Sequence, residues 1–219
     1  MKRDIDIKDI SDGKLYTAND MVKTDCHDCI GCSDCCRGMG SSIILDPMDI
    51  WRLTSNLKTD FNSLLDRYVE LGMVDGLILP NLKLAGDQEA CSFLNSEGRC
   101  SIHDFRPGIC RLFPLGRIYN ETGFQYFLQI HECSKPDKTK IKVKKWLGIS
   151  DIKSYEKYIW DWHNFINACE ESLEQLEGEQ RKVLTLYILK TFYQSMYPET
   201  EFYQEFYHRL ERTKEMFGF

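Results

Sequence analysis

Cys29-Ile30-Gly31-Cys32-Ser33-Asp34-Cys35-Cys36 sets four thiols within eight residues. A thiolate is a soft anionic ligand, and four of them at about 2.3 Å satisfy a zinc ion, while similar sets hold the irons of a cluster. Each two-residue gap lets a tight turn aim both sulfurs at one point, and Gly31 permits the bend. Successive side chains diverge, so Cys35 and Cys36 either serve different metals or leave one sulfur outside the ligand shell. A vicinal disulfide between them is disfavoured by the strain of its small ring. Upstream, Cys26, Cys29, Cys32 and Cys36 reproduce the gaps of a ferredoxin run, without its closing proline and with Cys35 interrupting the last gap. Iron–sulfur therefore stands beside zinc.

A second group follows in Cys91, Cys100, Cys110 and Cys133. Without Cys26, the two groups hold eight thiols, enough for two four-thiolate sites or for one site plus functional cysteines. The spacing leaves both open. His103, in Cys100-Ser101-Ile102-His103, is placed either to ligate or to hydrogen-bond a sulfur or a carbonyl. Several thiolates on one ion leave excess negative charge, so Arg37, Arg99, Arg106 and Arg111 are candidate donors around it. Cys169 stands apart, on the apolar face of a helical stretch, and is expected to be a buried thiol.

These cysteines are not expected to form a disulfide framework. The N-terminal Met1–Ile10 alternates charge with isoleucine and carries no uninterrupted apolar run of the export type, which points to the cytoplasm, where thiols stay reduced. No apolar run approaches the roughly 20 residues of a membrane-spanning helix, so no membrane association is expected. A net charge of -6 and a pI near 5.4 argue against nucleic acid as a partner.

Several elements must position the thiols. Asp46-Pro47 reads as an N-cap with proline at the first helical position, and Ile50, Leu53 and Leu57 recur at helical spacing, predicting a helix over 47–57. Asp60 caps a second helix whose apolar stripe runs Phe61, Leu64, Leu65, Tyr68, Val69, Leu71. Short strands are predicted at 77–79, 82–84, 112–119 and 124–129, with Asn120–Gly123 as a hairpin loop between the last two. Prolines 80, 107 and 114 keep these strands short or at edges. From residue 150 onward, Tyr155, Tyr158, Trp162, Phe165 and Cys169 open three amphipathic helices reaching 217, whose aromatic residues read as core. The alternating Lys138, Lys140, Lys142, Lys144 and Lys145 read as a solvated edge.

The prediction is an α+β protein. A small irregular cysteine-cluster region with short strands and two helices, residues 1–145, precedes a three-helix segment, 146–219, packed on it.

These residues resemble the YkgJ-type cysteine-cluster family, described as a zinc- or iron-chelating domain, to which the flagellin lysine N-methylases are similar. The resemblance rests on Cys29-x-x-Cys32-x-x-Cys35-Cys36, on Ile44-Leu45-Asp46-Pro47-x-Asp49-Ile50-x-Arg52-Leu53, and on Cys91-x-Phe93-Leu94. It continues through Cys100-x-x-His103 and Arg106-Pro107-x-x-Cys110-Arg111-x-Phe113-Pro114-Leu115, covering roughly residues 26–135, with Lys145-Trp146-Leu147 as an extension. Cys26 is an addition ahead of the family run, and Ser33-Asp34 replaces a glycine-containing gap. The resemblance implies a metal centre of zinc or iron–sulfur on Cys29, Cys32, Cys35, Cys36, Cys91, Cys100, Cys110 and Cys133; Cys26, by its ferredoxin-like spacing, and His103, by its place after Cys100, are further candidates from the residues themselves. Its methylase branch implies S-adenosylmethionine as a cofactor and a protein lysine as substrate, although no G-x-G-x-x-G turn marks a Rossmann methyl-donor site. An iron–sulfur electron carrier is the third reading.

Overall fold

The computed structural model describes residues 7–26, 29 and 32–219. In chain order it runs α1 (Ile7–Ile10), β1 (Ser11–Tyr16), β2 (Met21–Asp25), α2 (Pro47–Leu57), α3 (Phe61–Arg67), β3 (Val69–Val74), β4 (Leu77–Leu82), β5 (Leu84–Ala85) and β6 (Ala90–Cys91). It continues with α4 (Gly108–Leu112), β7 (Leu115–Asn120), β8 (Gly123–Gln129), β9 (Thr139–Lys142), α5 (Val143–Leu147), α6 (Ile152–Gln175), α7 (Gly178–Leu189) and α8 (Phe202–Phe217). Asp34–Cys36 and His103–Phe105 are single 3-10 turns, and Lys190–Gln194 extends α7 as a π-type turn. The class is α+β, with small antiparallel sheets β1-β8-β7, β2-β9, β3-β4 and β5-β6. Among the described residues no helix is long and apolar enough to cross a membrane.

Contacts group the chain into two compact units, Met1–Ile43 with Leu84–Tyr155, and Ile44–Lys83 with Glu156–Phe219. Both cysteine groups belong to the first.

In the first unit, β7 and β8 form the expected hairpin, closed where Asn120 pairs with Gly123 and the Asn120 side chain accepts from Thr122 N at 3.0 Å. The edge strand β1 pairs with β8 across more than a hundred residues of sequence. Tyr16, Val22, Leu112, Leu115, Tyr126, Val143 and Leu147 form a buried core against this sheet. Trp146 Nε1 donates to Phe113 O at 3.1 Å and fixes α5 beside the turn after α4. Leu112 ends a helix here instead of opening a strand. Arg111 N to Pro107 O and Phe113 N to Ile109 O complete helical turns before β7 starts. On β9, Lys140 and Lys142 lie exposed, as a solvated edge requires.

In the second unit, α2 starts where predicted. Asp46 accepts from Asp49 N at 2.9 Å and Asp49 accepts from Asp46 N at 3.1 Å, a reciprocal capping box around Pro47. The α3 stripe stops earlier than its spacing suggested, because Val69–Val74 leaves the helix to pair with β4. Asp75 and Gly76, with φ of 48° and 86°, supply the left-handed pair that a two-residue hairpin turn needs. Tyr158, Phe165, Cys169, Phe192 and Phe206 are fully buried, so the aromatic stripe is core. Tyr158 meets Phe206 at 4.7 Å between ring centroids, and Trp162 meets Phe192 at 5.2 Å. Two buried tyrosines tie the start of α2 to the helices: the Tyr158 hydroxyl accepts from Met48 N at 3.1 Å, and Tyr193 donates to Leu45 O at 3.2 Å.

Candidate metal centre

Phe93 and Ile102, in the turns around Cys91 and Cys100, are buried, and backbone contacts join the cysteine-bearing segments. Cys35 and Cys36 lie on the 3-10 turn Asp34–Cys36, closed by Cys36 N to Ser33 O at 2.9 Å. The next residue, Arg37, bridges to Ala90, and Gly38 N donates to Glu89 O at 3.2 Å. One residue on each side of that bridge therefore carries a ligand candidate, Cys36 before Arg37 and Cys91 after Ala90. Cys91 sits on β6 opposite Leu84, and its carbonyl accepts from Leu94 N at 2.8 Å. Leu94 in turn bridges to Cys100 across a turn in which Asn95 Oδ1 accepts from Arg99 N at 2.8 Å. Two short bridges thus bring Cys36, Cys91 and Cys100 into one neighbourhood.

The remaining candidates belong to the same unit. Cys26 is buried just past β2, with its sulfur 3.5 Å from Cys29 Sγ. Cys29 takes a left-handed backbone (φ 56°), uncommon for a residue with a Cβ, and its carbonyl accepts from Cys32 N at 3.0 Å. Cys110 lies half-buried on α4, and Cys133 half-buried after β8. A hydrogen bond from Ser134 Oγ to Asp34 Oδ2 brings the neighbour of Cys133 against the neighbour of Cys35. His103 lies on its own 3-10 turn, where the Arg106 guanidinium donates to Nε2, so that nitrogen would have to exchange partners before it could ligate. His27, Asp28, Ile30 and Gly31 lie outside the described residues.

The thiols perturb one another strongly. Cys36 donates to Cys35, which raises Cys36 and lowers Cys35 to about 7, so the vicinal pair gives up its first proton readily and holds the second. Cys91 and Cys100 add to the rise at Cys36 by charge repulsion. Burial comes first at Cys29, pushed up to about 12, followed by its contact with Cys26. Burial also dominates the upward shifts at Cys32, Cys91 and Cys100. Arg106 is the shared opposing charge, lowering Cys29, Cys35 and Cys100, and among the described residues its buried Nε meets no hydrogen-bond partner.

The donor set fits a thiophilic cation. Half-buried thiols that resist ionising together are what a zinc ion or the irons of a cluster stabilise, because a metal replaces the protons. The side chains as placed are not drawn up around an ion: among the described residues no group of three or more His, Cys, Asp and Glu is arranged to hold one.

Of the four arginines expected to offset charge, Arg106 faces several thiols, whereas Arg111 is spent on the backbone. Its guanidinium donates to the carbonyls of Asp104, Arg106 and Leu147 and staples α4 to α5. Lys135, which lowers Cys32, and the Asp34–Ser134 contact were not singled out by spacing. Both flank cysteines, the one sequence cue they offered.

Neither a comparison with curated proteins nor one with solved structures finds a match. A family model does match, over residues 28–144, more than half of the chain, beginning two residues after Cys26. The chain belongs to the CxxCxxCC family, described as a "putative zinc- or iron-chelating domain".

Proposed function

We propose that the first unit chelates zinc or an iron–sulfur cluster through Cys29, Cys32, Cys35, Cys36, Cys91 and Cys100, with Cys110, Cys133, His103 and Cys26 as further candidate ligands. The observation that carries this reading is the Arg37–Ala90 bridge, which draws Cys36 and Cys91 together across more than fifty residues of sequence. When bound, the metal supplies the positive charge that lets neighbouring thiols stay ionised. The chain's own residues do the rest. Arg106, beside Cys29, Cys35 and Cys100, and Lys135, beside Cys32, offset the negative charge that accumulates.

The ferredoxin-like gaps of the first cysteine run favour iron–sulfur, and the four-thiol arithmetic suits zinc equally. Elemental analysis and an absorption spectrum of protein purified without oxygen separate them. A brown protein absorbing near 400 nm, with iron and acid-labile sulfide, supports a cluster, and a colourless one with stoichiometric zinc supports a zinc site. A protein carrying neither metal refutes the reading. Two roles would attach to the same centre, and each has its own assay. Labelled methyl transfer from S-adenosylmethionine to protein lysines tests the methylase, and reversible reduction of the purified centre tests electron transfer.

A further inference from the structure

Cys26 departs from the rest of the set in two respects. It precedes the stretch that matches the family, and its sulfur contacts a cysteine inside that stretch, 3.5 Å from Cys29 Sγ. The two are joined by a C-x-x-C spacing, Cys26-His27-Asp28-Cys29, the shortest common loop over which a protein dithiol closes. Cys26 is buried, at 8% exposure, while Cys29 is more open, so one partner is sheltered and the other can be reached by a small oxidant. Cys29 also stands in a left-handed backbone conformation, with its carbonyl accepting from Cys32 N.

We propose that Cys26 is a resolving cysteine for Cys29: a hydroperoxide converts the pair to a Cys26–Cys29 disulfide, withdraws Cys29 from the thiol set, and so makes metal retention depend on oxidant. The inference rests on Cys29 being a metal ligand, as proposed above. In the first step one sulfur takes a hydroxyl from hydrogen peroxide as the O–O bond breaks, giving a sulfenic acid and one water. In the second, the other sulfur displaces that hydroxyl, the S–S bond forms, and a second water leaves. Two thiols lose two electrons and two protons, and the peroxide is reduced to two waters. A dithiol reductant reverses the change by exchange.

Cys29 is half-buried, which limits access of oxidant to its sulfur, slows the first step and makes the pair a responder to sustained peroxide. Metal bound at Cys29 replaces its proton and slows the step further.

The experiment treats full-length protein, as purified and after metal removal, with hydrogen peroxide, blocks the remaining thiols with an alkylating agent, and digests with trypsin. Cleavage after Lys23 and Arg37 isolates one peptide holding Cys26, Cys29, Cys32, Cys35 and Cys36. The expected product has lost two hydrogens, with fragmentation locating the bond between Cys26 and Cys29. In parallel, a colour-forming chelator reads metal release. Wild-type protein releases metal on peroxide treatment, dithiothreitol restores its capacity to rebind, and Cys26→Ser retains its metal as purified but loses the peroxide-triggered release. Cys26→Ala serves as a second variant if serine disturbs folding at this buried position. A bond located at another pair, equal release from the variants, or variants that arrive without metal because Cys26 is itself a ligand would each overturn the inference. Protein that carries no metal fails the functional reading, whereas the peptide map still decides whether the disulfide forms.

Discussion

In the second unit Tyr158, Trp162, Phe165, Phe192 and Phe206 touch ring to ring in a buried interior, whereas in the first unit Cys35, Cys36, Cys91 and Cys100 sit on a single 3-10 turn, a two-residue strand and an isolated bridge. The first arrangement carries its own stability, because burying large aromatic side chains is favourable whatever else is bound. The second collects half-buried thiols that repel one another once ionised, on segments joined by isolated backbone bridges and single hydrogen bonds, with Phe93 and Ile102 buried beside Cys91 and Cys100 in sequence. The first unit also has an apolar core of its own, under the β1-β8-β7 sheet, away from the thiol-bearing turns in sequence apart from Leu112, which shares α4 with Cys110. Residues that cannot bury enough apolar surface need another source of cohesion, and a chelated cation is one that these side chains can accept.

That contrast is broken most severely by removing the metal. Structural zinc contributes on the order of 10 kcal/mol in small domains. Chelation is therefore expected to abolish hydrogen-exchange protection over residues 32–38 and 89–101 while leaving α6 to α8 protected. Cys32→Ser and Cys110→Ser should lower metal content and loosen the same segments. Cys169→Ser should do neither, since that thiol is fully buried in the aromatic unit. Equal loss of protection in both units would erase the distinction.

The converse perturbation is Phe206→Ala, which empties a fully buried ring site and should cost about 3–5 kcal/mol in denaturant unfolding of the aromatic unit. Metal content of the folded protein should stay at the wild-type level. A smaller effect is expected at Gly116, where an added Cβ would fall within the ring of Phe127 on the paired strand. Gly116→Ala should destabilise the first unit's sheet by about 1–3 kcal/mol, readable as a lowered thermal midpoint with thiol-bound metal retained. The smallest is Asp46→Ala, which removes half of the capping box of α2 and should cost about 0.5–2 kcal/mol in the second unit only.

Much of this division is written locally in the chain. Asp46-Pro47 announces α2 at its first residue, Asn120–Gly123 marks the β7–β8 hairpin, and the aromatic spacing after residue 150 yields α6, α7 and α8. The β3–β4 hairpin had a local sign too, since Asp75-Gly76 is a favoured two-residue turn, but Val69 and Leu71 also continue the helical stripe of α3 and mask it. The strands β1, β2 and β9 have no such sign. Their sequences are polar and short, and they become strands only because β1 meets β8 and β2 meets β9 more than a hundred residues away. Within the site, spacing marks the cysteines as candidate ligands, but which of them become neighbours depends on the Arg37–Ala90 and Leu94–Cys100 bridges and on the Asp34–Ser134 contact. The grouping of 44–83 with 156–219 is likewise a matter of long-range contact, resting on bonds such as Tyr193 to Leu45 and Thr185 to Gly76.

The central claim is that cysteine sulfur holds the metal, and X-ray absorption at the metal edge of protein purified without oxygen reads it directly. The account predicts a ligand shell dominated by sulfur at about 2.3 Å, whether the metal is zinc or iron. A shell made only of nitrogen and oxygen near 2.0–2.2 Å would contradict it.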